Sequence, residues 1–229
     1  AVTTSVVKPR EDFEINALGT FNVLEAARLN ERQPVFIYAS TNKVYGGMED
    51  VNVVERGGRW EYESLPFGAP ETQLLDFHSP YGCSKGTGDQ YVRDYARIYN
   101  LPTVVLRQSC IYGPRQFGVE DQGWVAWMVI AAVTGKPITI YGDGKQIRDL
   151  LHVYDLNDAY DAVIEKIDKV KGEVFNLGGG AENTMSIWTE FGPRLEKLLG
   201  REIPVARGDW RPGDQKVFVA DIRKAEGEL

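Results

Sequence analysis

Two cysteines and two histidines are all that 229 residues offer as soft metal ligands. Cys83, Cys110, His78 and His152 cannot build a structural zinc centre, so no metal is expected. Nor do two cysteines make the disulfide framework of a small secreted scaffold. Basic residues are outnumbered, 26 against 33 acidic, for a net charge of −7 with no basic run. Phosphate backbones are bound by clustered lysine and arginine, so no nucleic-acid partner is expected. The longest uncharged apolar stretch, Trp124 to Val133, falls far short of the ~20 residues that cross a bilayer, so no membrane partner is expected either. No signal peptide is visible, and the first residue is Ala1 rather than methionine. These absences leave a cytoplasmic protein with ordinary globular composition, 43% hydrophobic and 26% charged.

Apolar periodicity supplies the rest. Asp12 to Leu29 reads as a helix, with Phe13, Ala17, Phe21 and Leu24 on one stripe, and Ile15, Leu18 and Val23 predict cover on a second side. Val35 to Ala39 is a short continuous apolar strand of the kind buried in parallel sheets. Gly46 to Phe77 reads as a long irregular loop. Ser79 to Tyr99 is a helix, and Thr103 to Leu106 a second buried strand. A helix over Asp121–Val133, strands at Ile138–Tyr141 and Arg148–Val153, a helix capped by Asp155, a strand at Glu173–Leu177 and a helix over Ser186–Leu199 follow, then an irregular tail. Alternating strands and helices predict an α/β fold with a doubly wound parallel sheet. Ligands of such sheets sit beyond the carboxyl ends of the strands, which directs attention to the residues after Ala39 and Leu106.

There the chemistry-bearing residues gather. Ser40-Thr41-Asn42-Lys43-Val44-Tyr45-Gly46 follows the first strand, and Ser79-Pro80-Tyr81-Gly82-Cys83-Ser84-Lys85 opens the next helix. Tyr81 and Lys85 stand one turn apart and leave the same helix face. A shielded ammonium beside a phenol favours the phenolate and lowers its pKa. Thr41, at the strand end, supplies a hydroxyl that holds a substrate alcohol in line for deprotonation. A second Tyr-x-x-x-Lys, Tyr141 to Lys145, falls on a turn and is coincidental. Cys83 reads as a small core filler, His78 as a loop-lining residue, and Tyr91, Tyr95 and Tyr99 as packing.

Thr41, Tyr81 and Lys85 together resemble the Ser/Thr–Tyr–Lys triad of the extended short-chain dehydrogenase/reductases, the NAD-dependent nucleotide-sugar epimerases and dehydratases. Phe13 to Ala27 (FEINALGTFNVLEAA) is similar to that family's fourth-helix signature. Gly142 to His152 with Asp155 resembles its segment leading out of the substrate lobe, and Arg211-Pro212-Gly213-Asp214 its late phosphate-binding stretch. Ser40–Gly46 (STNKVYG), Leu75–Lys85 (LDFHSPYGCSK), Asp121–Trp124 (DQGW) and Val217–Ile222 (VFVADI) resemble the branch that inverts carbon 2 of a CDP-linked dideoxyhexose. The forty residues between Thr41 and Tyr81 suit that branch better than the shorter-looped 4-epimerases. Where the related 4,6-dehydratases place an Asp-Glu pair, this chain has Asn42 and Lys43, so dehydration lacks its acid.

The resemblance implies a Rossmann-like doubly wound sheet lacking its N-terminal part, carried by 1–110 and 151–178, and a smaller α/β substrate lobe carried by 111–150 and 179–229. It implies NAD as cofactor, with Tyr81, Lys85, Ser109 and Cys110 lining its nicotinamide end. Thr41, Tyr81 and Lys85 are the implied catalytic residues, and Thr41, Gln116, Arg148, Arg211 and Asp214 the implied nucleotide-sugar contacts. Arginine forks suit a pyrophosphate; pairing of Arg148 with Asp149 or Asp155 stays open. A homodimer is implied through the 12–29 and 79–99 helices. The glycine-rich turn that cradles a dinucleotide pyrophosphate is absent, since Gly178-Gly179-Gly180 comes too late. Ala1 therefore reads as a cut in a longer chain. A UDP-sugar 4-epimerase, another oxidoreductase of the family, or a chain that folds without holding NAD remain as alternatives.

Overall fold

A computed structural model describes residues 2–211 and 213–229; Ala1, read above as a cut, and Pro212 of the Arg-Pro-Gly-Asp stretch lie outside the described residues. The chain opens with α1 (Val2–Val7), α2 (Pro9–Phe13), a π-type turn (Glu14–Leu18) and α3 (Gly19–Leu29). Proline suits the first turn of α2, where its missing N–H is not needed. Next come β1 (Phe36–Thr41), a 3₁₀ turn (Asn42–Tyr45), the hairpin β2 (Val53–Arg56) and β3 (Arg59–Tyr62), α4 (Ser79–Tyr99), β4 (Thr103–Gln108) and β5 (Cys110–Tyr112). The second half runs α5 (Trp124–Thr134), β6 (Ile138–Tyr141), β7 (Ile147–His152), α6 (Val153–Glu165), α7 (Ile167–Val170), β8 (Val174–Leu177), β9 (Thr184–Ser186), α8 (Phe191–Leu199), β10 (Val205–Gly208), β11 (Val217–Phe218) and α9 (Arg223–Glu228).

β1, β4 and β8 form a parallel sheet with β4 in the middle. The alternation along β4 divides the core. Val105 joins Leu24, Ala27, Tyr38, Val92 and Tyr95 on the α3/α4 face, whereas Val104 and Leu106 join Leu156, Val163 and Phe175 on the α6 face. Both faces are thus covered, as a buried parallel sheet requires. β5, β7 and β11 pair in parallel with β9 antiparallel on β7, and β6 pairs with β10. Met128, Ala131, Ile138, Ile140 and Leu195 form a separate core between α5, β6 and α8. Among the described residues no helix is long and apolar enough to cross a membrane.

Several expectations need correction. The 46–77 segment contains a hairpin, because Gly57 and Gly58 both take positive φ (58° and 82°) and supply the turn that the strand twist favours. The last long helix begins at Phe191 rather than Ser186. Ser186 belongs to β9, where its hydroxyl accepts from Glu190 N at 2.7 Å while its own N–H donates to the Glu190 carboxylate at 2.7 Å. Asp155 does not cap its helix; His152 does, its Nδ1 accepting from Tyr154 N at 3.3 Å, and Asp155 sits in the first turn. Ile15, Leu18 and Val23 are exposed, so cover on a second side of that helix is not found. Cys83 is exposed and is no core filler.

Candidate active site

Thr41 ends β1 in extended conformation, and its hydroxyl accepts from Lys43 N at 3.2 Å, turning the chain into the 3₁₀ turn. Gly46 closes that turn at φ +63°, and a side chain there would run into the Asp76 carbonyl. This close approach brings the end of the long insertion back beside the strand. His78, extended, caps α4, whose first residue Ser79 is left-handed (φ +68°) and whose first turn holds Pro80. The abrupt start fixes Tyr81 and Lys85 over the carboxyl end of β1. Tyr81 N donates to Ser5 Oγ at 3.1 Å, and Lys85 Nζ donates to the Ala39 carbonyl at 2.5 Å while lying 4.3 Å from the centre of the Tyr38 ring.

The electrostatics of this corner differ from expectation. Burial pushes the Tyr81 phenol above its ordinary value; a hydrogen bond from the neighbouring Thr41 opposes the rise and the Asp12 carboxylate adds to it. Lys85 does not bring the phenol down. Its own ammonium is lowered to about 8, chiefly by burial, with Asp89 and Asp12 opposing. The ammonium is committed to β1, and desolvation dominates both groups.

A second cluster lies beyond β4. Ser109 donates to the buried Asp149, whose other oxygen accepts from Ala220 N at 3.2 Å, and burial raises that carboxyl to about 6. Arg148 is buried and pairs with neither Asp149 nor Asp155. Its Nη1 and Nη2 donate to the carbonyls of Ile147 and Gln215, each at 2.8 Å. Arg148 lies close enough to Cys110 to oppose the rise that burial imposes on that thiol. Asp214 is in electrostatic reach of Lys43, as are Arg148 and Cys110. Arg211 turns elsewhere, to Asp121 at 3.1 Å and over the Tyr141 ring at 3.7 Å. Gln116 Nε2 donates to Ile111 O at 3.1 Å, and its buried Oε1 has no partner among the described residues. Thr41, Tyr81 and Lys85 thus form one corner, Ser109, Cys110, Arg148 and Asp214 a second, and Arg211 and Gln116 stand towards the Asp121 loop.

Lys43 joins the two corners, and the sequence reading treated it only as a departure from a dehydratase pattern. It lines a cavity of about 470 Å³ with Met48, Val53, His78, Asp214 and Gln215. Burial and then Arg148 lower its ammonium to about 8, against the pull of Asp214 and Cys110. The signal available in sequence was its place two residues after Thr41, in a turn whose other members, Asn42, Val44 and Tyr45, are buried.

Behind the site runs a polar network. Arg107 makes two 2.9 Å bonds to Asp89, with the two side chains 2% and 0% exposed, and a 3.1 Å bond to Tyr45 Oη. Ser40 donates to Asp89 at 2.7 Å, and Tyr45 donates to Asn176 Oδ1 at 2.7 Å. These bonds tie α4, β4, β1 and β8 into one frame.

A parallel sheet covered on both faces, with a hydroxyl at the end of β1 and a phenol and an ammonium at the start of α4, defines a Rossmann-like α/β fold. Tyr81 and Lys85 fit the nicotinamide end of such a cofactor, since Lys85 uses one donor on Ala39 and keeps others for a ribose. The chain belongs to the NAD dependent epimerase/dehydratase family, which its residues 1–178 match. It is 46% identical over 229 residues to the CDP-paratose 2-epimerase of Salmonella typhi, covering 98% of this chain and 68% of that protein. It is 37% identical to a dTDP-glucose 4,6-dehydratase of Neisseria gonorrhoeae, over 96% of this chain and 63% of that protein. The structure of UDP-glucose 4-epimerase from Thermotoga maritima, solved with UDP-glucose, superposes with a TM-score of 0.81 at 30% identity, over 99% of this chain and 67% of that one. The chain therefore spans about two thirds of the length of these relatives.

Proposed function

We propose that the protein is an NAD-dependent nucleotide-sugar epimerase that interconverts CDP-paratose and CDP-tyvelose by transient oxidation at carbon 2 of the sugar. The observation that carries this reading is the 46% identity, over 98% of the chain, to a CDP-paratose 2-epimerase. The Asn42-Lys43 pair weighs against a dehydratase, since neither side chain is the carboxylic acid that loss of water needs.

In this reading Tyr81 takes the proton of the carbon 2 hydroxyl at its phenolic oxygen and returns it after inversion. Thr41 donates to or accepts from the same sugar oxygen and holds it in line. NAD held at the Tyr81 and Lys85 end would supply the hydride-accepting chemistry that oxidation at carbon 2 needs, and its positive charge would favour the phenolate. Lys85, held on the Ala39 carbonyl, turns its remaining donors to the ribose beside the phenol. Arg148 and Arg211 take the pyrophosphate, for which Arg211 exchanges its pairing with Asp121. Asp214 and Gln116 orient the remaining nucleotide and sugar groups, and Ser109 and Cys110 border the nicotinamide.

The reading divides the chain into a cofactor domain (1–110 and 151–178) and a substrate lobe (111–150 and 179–229), and it places the protein in the cytoplasm. The exposed Phe13, Phe21, Tyr91 and Tyr99 support a homodimer through the 12–29 and 79–99 helices. The test is to incubate full-length protein separately with CDP-paratose and UDP-glucose and follow each sugar by NMR. Appearance of CDP-tyvelose is expected; conversion of the UDP-sugar alone would sink the 2-epimerase assignment.

A further inference from the structure

A carboxylate stands beside the proposed base without a cation of its own. Asp12, near the end of α2, is half-buried, and neutral donors hold its oxygens: Asn16 Nδ2 at 3.1 Å and the hydroxyl of Ser84. Ser84 is 3% exposed and sits in α4 between Tyr81 and Lys85, its hydroxyl also 3.2 Å from the Tyr81 carbonyl. Asp12 and Tyr81 line one cavity of about 220 Å³ together with Ser5 and Asn16. The cations nearest in sequence are taken, Lys8 by Glu11 and Arg10 by Glu14, each at 2.9 Å. Other charges around Tyr81 are committed as well. α1 carries no ionisable side chain, Glu25 and Arg28 of α3 pair with each other, and Asp89 is locked to Arg107 of β4. Lys85 donates to Ala39 of β1 beside the Tyr38 ring, and Lys43 of the 3₁₀ turn to Gln215 at 3.4 Å. Among the described residues, Asp12 is thus a carboxylate at the phenol that enters no ion pair.

Resting on the epimerase reading, we infer that Asp12, seated by Ser84 and Asn16, is a positioning residue whose negative charge keeps the proton on Tyr81 until a cationic cofactor ring occupies the site. A negative charge disfavours ionisation of a neighbouring acid, the more so where water is excluded. Burial raises the Tyr81 phenol, and Asp12 adds to the rise. A cation bound against the phenol offsets that charge, so the base ionises with the cofactor in place and stays neutral without it. The empty site is thereby spared a second desolvated anion with no partner.

The test compares full-length wild type with Asp12→Asn, Asp12→Ala and Asp12→Glu. Ionisation of Tyr81 is read without sugar, with NAD bound and with NAD removed, as the ultraviolet tyrosinate signal of each protein minus that of its Tyr81→Phe counterpart. Lys85 contributes nothing to that signal. Turnover of CDP-paratose by wild type, Asp12→Asn and Asp12→Glu is then followed against pH. The wild-type signal should develop at lower pH with NAD bound than without. In Asp12→Asn and Asp12→Ala it should move lower still, and kcat/KM of Asp12→Asn on the acid limb should rise about threefold to tenfold. Asp12→Glu keeps the charge and should leave both curves near those of the wild type. A signal that does not move in Asp12→Asn and Asp12→Ala would overturn the inference. An equal movement in Asp12→Glu would also overturn it, by reducing Asp12 to a packing role. If the wild type leaves CDP-paratose unchanged while the signal still moves in Asp12→Asn, the epimerase reading fails and the hold of Asp12 on the phenol stands.

Discussion

Two polar clusters sit at the carboxyl ends of the same strands, one closed and one open. In the first, Asp89, Arg107, Tyr45, Asn176 and Ser40 satisfy one another, and the Arg107–Asp89 pair is bidentate and almost wholly buried. In the second, Tyr81, Lys85 and Lys43 are each shifted towards the neutral or less easily charged form by burial, and the lysines have few partners. Both clusters are desolvated, but only the first joins its opposite charges in a direct, bidentate ion pair. The second gathers desolvated groups that the proposed reading pairs with a sugar and a nucleotide, which is how perturbed groups mark a working site. A closed network holds a frame still, and an open one leaves its interactions for the substrate.

The contrast can be broken from either side. The largest expected effect is on turnover: Tyr81→Phe removes the proton acceptor and should cut the rate by about 10²–10⁴-fold while NAD content is unchanged. Turnover within a few-fold of wild type would remove Tyr81 from the proton-transfer role. In the closed cluster, Arg107→Leu strands the Asp89 carboxylate at 0% exposure and should cost about 3–5 kcal/mol of unfolding free energy, read from denaturant midpoints. An Arg107 variant that lost turnover but kept its stability would mean that this cluster, too, belongs to the site.

How legible this was in the sequence depended on range. The α4 boundaries were legible to the residue because His78-Ser79-Pro80 starts the helix and Asn100, left-handed, ends it. The strands β1, β4 and β8 were legible because burial on both faces leaves continuous apolar runs. The Thr41–Tyr81–Lys85 corner followed from strand end and helix start. The hairpin was not, since four-residue strands rich in charge carry little periodicity, and only Gly57-Gly58 hinted at it. Nor was the Asp89–Arg107 pair, eighteen residues apart on different elements. The direction of the Tyr81 shift was misread because spacing places Lys85 on the right face without revealing that its ammonium turns to Ala39. In the sequence Lys43 stands out only as a departure from the dehydratase pair for the same reason: how far a lysine is taken out of water is a tertiary fact.

A smaller step tests whether the closed cluster is closed at its far end. Tyr45 is fully buried, donates to Asn176 and accepts from Arg107. Tyr45→Phe removes one hydroxyl and leaves the Asn176 oxygen without that donor, at a cost of about 1–3 kcal/mol. The denaturant midpoint should fall with no change in nucleotide-sugar affinity. A loss of affinity instead would show that the frame transmits to the site more than its geometry suggests.

The smallest effect probes the open cluster through stability rather than activity. Burial pushes the Lys43 ammonium down to about 8 from its ordinary 10.5, with Arg148 adding to the desolvation and Asp214 and Cys110 opposing it. A lysine whose folded value is depressed lends its full stability only above 10.5, and that contribution is lost as pH falls through 8. At pH 7 the fold therefore holds a desolvated cation at a cost, and Lys43→Met should be more stable than wild type. Part of the gain is offset by the lost contact with Gln215, so the difference should be on the order of 1 kcal/mol. The gap should hold below pH 8 and close as pH rises towards 10.5, measured by denaturant unfolding across that range. A closed cluster would respond in the opposite sense, since removing a partnered charge destabilises. If Lys43→Met lowered stability at pH 7 by as much as Tyr45→Phe does, Lys43 would belong with the frame, and the division between the two clusters would have to be redrawn around it.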